Sequence, residues 1–123
     1  MRHRVTKKKM NRSVGQRRAL TRNLLTELFR HERIRTTEAK ARIMRPQAER
    51  LITIAKRAQA GRGDSLAARR RLASVLRDPD IVKKVYEEVA PRYTERNGGY
   101  TRILKLGQRL GDAASIVYLE LVE

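Results

Sequence analysis

No carboxylate appears in this chain before Glu27, yet Arg2, Arg4, Lys7, Lys8, Lys9, Arg12, Arg17, Arg18 and Arg22 all precede it. Cations with no internal counter-charge repel one another, so packing them together opposes compaction. They must stay in solvent or face a polyanion. Apart from Met1, residues 1–12 offer only Val5 and Met10 as apolar side chains. Those are too few to offset an ordering cost of about 1–2 kcal/mol per residue. Residues 1–12 are therefore expected to form a basic arm that is disordered without its partner. Residues 13–123 are expected to form a single domain.

The whole chain carries the same bias. Its 30 Lys plus Arg exceed 13 Asp plus Glu, a net charge of +17, and arginine supplies most of the excess. Guanidinium forks bind phosphate bidentately, whereas ammonium acts as a hydrated point charge, so nucleic acid is the polyanion favoured. Residues 1–63 hold 19 cations against 4 carboxylates, which assigns the binding surface mainly to the first half. Absence of cysteine removes disulfides and thiolate metal sites and fits a reducing compartment. No stretch approaches the roughly 20 apolar residues of a membrane span. The opening has no apolar h-region of a secretory signal. A mitochondrial presequence shares its arginine bias, but the lysine run and weak amphipathicity oppose that reading.

From Ser13 the pattern turns helical. Leu20, Leu24, Leu25, Leu28 and Phe29 share one face, with Ser13 as N-cap. The stretch RIRTT, Arg33 to Thr37, reads as a short strand running into a helix capped by Thr36 or Thr37. Glu38 reaches Arg42 in the first turn, and Met44, Ala48, Leu51, Ala55 and Ala58 continue the stripe, widened by Ile52 and Ile54. Pro46 predicts a kink or break near Arg45. Gly61 and Gly63 stop that helix. Asp64 or Ser65 caps the next, with Leu66, Leu72, Val75 and Leu76 as its apolar side chains. Asp78 and Pro79 start a further helix on Ile81, Val82, Val85, Tyr86 and Val89, stopped by Pro91. After a turn at Asn97-Gly98-Gly99, YTRILKL (Tyr100 to Leu106) and IVYLELV (Ile116 to Val122) read as strands. The expected fold is α+β, a two-layer α/β domain. A small mixed three-stranded sheet packs against helices in the order α-β-α-α-α-β-β.

Several motifs fail on context. Arg62-Gly63-Asp64 lies in an integrin-type string, but a helix stop followed by a cap explains every residue. Asn11-Arg12-Ser13 matches a glycosylation acceptor that presumes secretion. His3 and His31 are isolated, no Cys/His cluster has metal spacing, and no glycine-rich loop matches a phosphate-binding loop. The carboxylates fall mostly at caps, in first turns or on solvated faces such as Glu87-Glu88. No catalytic residue, cofactor or metal is therefore expected. Aromatic content is 4%, with none in the arm, so a base-stacking platform is not expected. Recognition of phosphates and shape in duplex-rich RNA fits better. A basic DNA-binding or nucleoid-associated protein is the alternative, though the apolar stripes leave no obvious recognition helix.

Certain segments go further. They are MRH at the start, KMNR (Lys9 to Arg12), RRALTRN (Arg17 to Asn23), IRTTEAKA (Ile34 to Ala41), LITIAKR (Leu51 to Arg57), APRY (Ala90 to Tyr93), GGYTRILKLGQRLGD (Gly98 to Asp112) and the terminal YLELVE. In this order they make the chain resemble, essentially end to end, the family of bacterial large ribosomal subunit protein 17. The resemblance implies a structural, non-catalytic protein without cofactor or membrane association. It would bind 23S rRNA beside neighbouring large-subunit proteins in the cytoplasm. The RNA contacts it implies are Arg2, His3, Arg4, Lys7, Lys8, Lys9, Asn11 and Arg12 in the arm, then Arg17, Arg18, Arg22 and Asn23 on the first helix. At the strand-to-helix corner they are Arg35, Thr36, Thr37 and Lys40, where free helix N–H groups would suit a phosphate. In the long strand they are Tyr100, Thr101, Arg102 and Lys105, with Arg102 and Lys105 on opposite faces. Gln16 stands where the family usually has histidine, and the loop 57–65 reads as longer than the family's usual one.

Overall fold

The computed structural model describes residues 1, 3 and 8–123. Arg2, Arg4 and Lys7 of the expected arm lie outside the described residues. Helix α1 (Val14–His31) begins on a capping box. Gln16 N–H donates to the Ser13 hydroxyl, and Ser13 N–H donates to the Gln16 side chain. Gln16 thus works as a cap. The chain leaves α1 through Glu32, in the left-handed region at φ 63°, and enters β1 (Arg33–Thr37). Helix α2 (Glu38–Gln59) follows at once, with Thr37 at its N-cap position but no capping hydrogen bond from the Thr37 side chain.

No break occurs at Pro46, because α2 continues through it to Gln59. Ala41, Met44, Ala48, Leu51, Ile52, Ala55 and Ala58 form its buried stripe, and that packing outweighs one lost backbone donor. Helix α3 (Ser65–Val75) is capped by Asp64, which accepts from Leu66 N–H. Leu66, expected on its apolar face, is exposed. It sits in the first turn, one residue into the helix, and Ala68 and Leu72 carry the buried contact instead.

The last helical stretch starts at Pro79 on an Asp78 cap as α4 (Pro79–Lys84), widens into a π-helical turn (Val85–Val89) and closes with α5 (Ala90–Arg92). Pro91 therefore sits inside the final turn, which runs one residue past it. In an α register its ring would meet the Glu87 carbonyl. The wider turn avoids this, with Ala90 N–H bonding the Val85 carbonyl. A π register would pair the Tyr86 carbonyl with residue 91, which has no N–H. The Gln59 side chain supplies that donor from the end of α2. Gln59→Leu is expected to cost about 1 kcal/mol in urea unfolding. The cost should shrink in a Pro91→Ala background, where a backbone donor returns. An equal cost in both backgrounds would rule out this substitution of one donor for another.

Strands β2 (Thr101–Gln108) and β3 (Ser115–Leu121) complete a three-stranded sheet in the order β1-β3-β2. Every bonded pair is antiparallel, not mixed. The strands β1 and β2 run the same way, but β3 lies between them, so no parallel pair forms. A bulge between Lys105 and Gly107 lets Gly107 adopt φ 116°, a backbone region closed to side chains other than glycine's.

Val117, Leu119 and Leu121 of β3 face the helices, and α2 packs against all three strands. Leu25, Leu28 and Phe29 of α1 join them in one core with the α2 stripe, Leu72, Val85 and Val89. Among the described residues no buried side-chain nitrogen or oxygen lacks a partner. Glu49 is one reason. It accepts from both the N–H and the hydroxyl of Thr101, tying α2 to β2. Among the described residues no helix is long and apolar enough to cross a membrane.

Candidate nucleic-acid interface

The first half of α1 carries Arg17, Arg18 and Arg22 near its positive dipole end, an unfavourable place for cations. The fold gives them a shared cleft of about 850 Å³ between α1, α2 and α3. Lys8 from the arm, Arg42 and Gln47 from α2, and Arg71 from α3 also line it. Six cations meet there, and no carboxylate lines the cleft among the described residues.

Their roles differ. Arg22 donates to the Ser74 carbonyl at 2.5 Å and the Val75 carbonyl at 3.3 Å, capping the C-terminus of α3 where a cation is favourable. Beside it, Thr26 donates to the Arg22 carbonyl and accepts from Arg77 N–H at 3.1 Å. Together these bonds fix α1 against α3. Arg17 donates to the Arg12 carbonyl at 2.9 Å, and Arg12 N–H bonds the Lys9 carbonyl at 3.1 Å. That turn, with Met10 and Asn11 both at φ 53°, holds the end of the arm on α1. Arg18 and Arg71 are exposed and join no ion pair among the described residues. They are the cations best placed for an external anion.

Glu32, Asp78 and Asp112 lie outside the cleft, each already matched. Glu32 accepts both guanidinium nitrogens of Arg92 and sits near Lys84, so Arg92 foremost holds its carboxyl below the ordinary value. Asp78 is lowered chiefly by Asp80 N–H and next by Arg30. Arg109 and Ala114 N–H hold Asp112 at about 2. These pairs tie the far end of α1, α4, α5 and the β2–β3 turn. Cation excess is thus left on the α1–α3 side.

At the β1–α2 corner a carboxylate shares the helix end with the groups named for RNA. Glu38 occupies the first turn of α2, and its carboxyl is lowered by the Ser115 hydroxyl and then by Arg42. An internal carboxylate already complements the helix end where a phosphate was expected. Lys40 is half-buried there, Arg35 is exposed on the outer sheet face, and Thr36 is half-buried in register with Val117 on the inner face.

Tyr100 and Thr101 are interior. The Tyr100 ring packs against Tyr93 at 5.1 Å and its hydroxyl accepts from Lys56 at 2.8 Å; Thr101 is held by Glu49. Their side chains support the surface and do not form it. Arg102 and Lys105 do lie on opposite faces, in register with Glu120 and Val117. His3, Lys9 and Asn11 are exposed, and Asn23 lines a separate depression beside Glu27 and Asp78.

Sequence reasoning missed Arg42, Gln47 and Arg71. For Arg71 a signal existed, since it lies four residues before Val75 and so borders the apolar stripe that meets α1. Among the described residues no group of His, Cys, Asp and Glu could hold a metal ion.

Known proteins resemble this chain in sequence. The family model of ribosomal protein L17 matches residues 20–122. The large ribosomal subunit protein bL17 of Trichlorobacter lovleyi is 50% identical over 123 residues, covering 100% of this chain and 94% of its own length. That of Caldanaerobacter subterraneus subsp. tengcongensis is 52% identical over 115 residues, covering 94% and 97%. The same-named protein of Exiguobacterium sp. is 51% identical over 119 residues, covering 93% and 97%. With the family model matched over most of its length and half its residues shared with these relatives, the chain belongs to the ribosomal protein L17 family, a structural and non-enzymatic component of the ribosome.

Proposed function

We propose that this chain is a structural constituent of the large ribosomal subunit that binds 23S rRNA through its basic arm and the α1–α3 cleft. The carboxylate-free convergence of Lys8, Arg17, Arg18, Arg22, Arg42 and Arg71 carries the reading. Such a cleft suits the sugar-phosphate backbone of folded RNA, where position and shape are read and base identity is not. Residues 1–12 order on the RNA, and the domain of residues 13–123 anchors them beside neighbouring large-subunit proteins. The names of the relatives place those proteins in the large subunit, and a cytoplasmic ribosome is the corresponding site of action.

Sucrose-gradient fractionation of a lysate tests this. The full chain should sediment with large subunits, and a chain lacking residues 2–12 should be released at lower salt. Each phosphate that the shortened chain no longer neutralises flattens the salt dependence by about 0.7–0.9 in log–log slope. The thermal midpoint of the isolated truncated chain should stay close to that of the full chain. A full chain found only at the top of the gradient, even at low salt, would refute the assignment.

A further inference from the structure

The sheet has a second face, opposite α2. Its register places Arg33, Glu120 and Arg102 in one cross-strand row and Arg35, Tyr118 and Leu104 in the next. The Arg33 guanidinium lies over the Tyr118 ring, 3.6 Å from its centroid. Glu120, only 8% exposed, holds it from the side at 3.3 Å and also pairs with Arg102. Arg33 is therefore fixed from two directions, while its side chain remains 50% exposed. Leu104 is 38% exposed beside the ring, and Arg35 is exposed on the same face with no ion pair among the described residues.

We propose that this outer sheet face is a second RNA site, which takes an unpaired nucleotide. Its base stacks on the Arg33–Tyr118 platform and its flanking phosphates meet Arg35 and Arg102. This rests on the RNA-binding reading above and concerns a different surface. Unstacked bases bind flat guanidinium and aromatic groups, whereas a duplex exposes no base faces to them. Three arginines against one enclosed carboxylate complement a polyanion. Such a site runs against the expectation of no stacking platform, which rested on a 4% aromatic content and on an arm without aromatics. The platform instead comes from pairing β1 with β3, which joins residues 33 and 118.

Fluorescence anisotropy with the full chain tests it on three probes: an eight-nucleotide oligoadenylate, its abasic counterpart, and a blunt 16-base-pair RNA duplex. Arg33→Lys keeps the charge and removes the flat group. It should weaken oligoadenylate binding about five-fold or more, leaving duplex binding within about two-fold. Tyr118→Leu should show the same selectivity, and the wild-type chain should bind the abasic strand more weakly than oligoadenylate by a similar factor. Equal losses on oligoadenylate and duplex, or none on either, would overturn the proposal. So would Arg33-dependent binding of an acidic leucine-containing peptide alongside oligoadenylate affinity indifferent to Arg33→Lys, which would make the face a protein-docking surface. A wild-type chain that binds neither RNA would sink the RNA-binding reading itself.

Discussion

Arg18→Glu combined with Arg71→Glu is expected to weaken binding to a large-subunit rRNA fragment about 100-fold at low salt. Two charge-assisted hydrogen bonds to phosphate at about 1.4 kcal/mol each give that factor. These two cations come from different helices, α1 and α3, and meet only in the cleft. Neither supports the fold through an ion pair among the described residues, so the thermal midpoint should move by only a few degrees. The log–log salt slope should fall by about 1.4–1.8, the share of two phosphates. Filter binding across a salt series checks both numbers. An unchanged slope would mean that the cleft does not hold phosphate. The same pair of changes at Arg62 and Arg77, exposed outside this cleft, should leave both quantities nearly as they were.

Phe29→Ala is expected to cost about 3–5 kcal/mol of folding stability. Phe29 is fully buried and heads the largest enclosed side chains of the core. Its removal leaves a cavity in a core that is modest for a chain of 123 residues. Domains of this kind are stable by about 5–15 kcal/mol, so much of the margin disappears. The thermal midpoint should drop by roughly 10–20 °C, read by circular dichroism. Where the variant is still folded, its RNA affinity and salt slope should match the wild type. A loss below about 1 kcal/mol would show that α1 is not welded into the core as described.

Much of the fold was legible because local signals agreed with one another. Ser13, Asp64 and Asp78 cap their helices as their positions suggested. Leu25, Leu28 and Phe29, and the stripe from Met44 to Ala58, are buried as their spacing required. Where a local rule failed, packing had overridden it. Pro46 and Pro91 both sit in continuing helical structure, one sustained by a long buried stripe, the other by a π turn and Gln59. The carboxylates were the least legible. Glu49 and Glu120 look like surface charges in the sequence, but one satisfies Thr101 and the other fixes two arginines.

The sequence by itself determined that this chain carries an uncompensated cation excess, no catalytic set and a family pattern running through its whole length. Charge and motif order survive any folding, since they depend on residue identity alone. The tertiary structure decided which cations act together. Arg18 and Arg71 are 53 positions apart, and Arg33 and Tyr118 are 85 apart. Helix packing and strand register set those relations, and both arise from contacts distant in sequence. Tyr100 and Thr101 show the reverse case. Their segment matches the family, but burial against Tyr93 and Glu49 turns them inward, because a sheet face that closes a core leaves its side chains nothing to offer a partner.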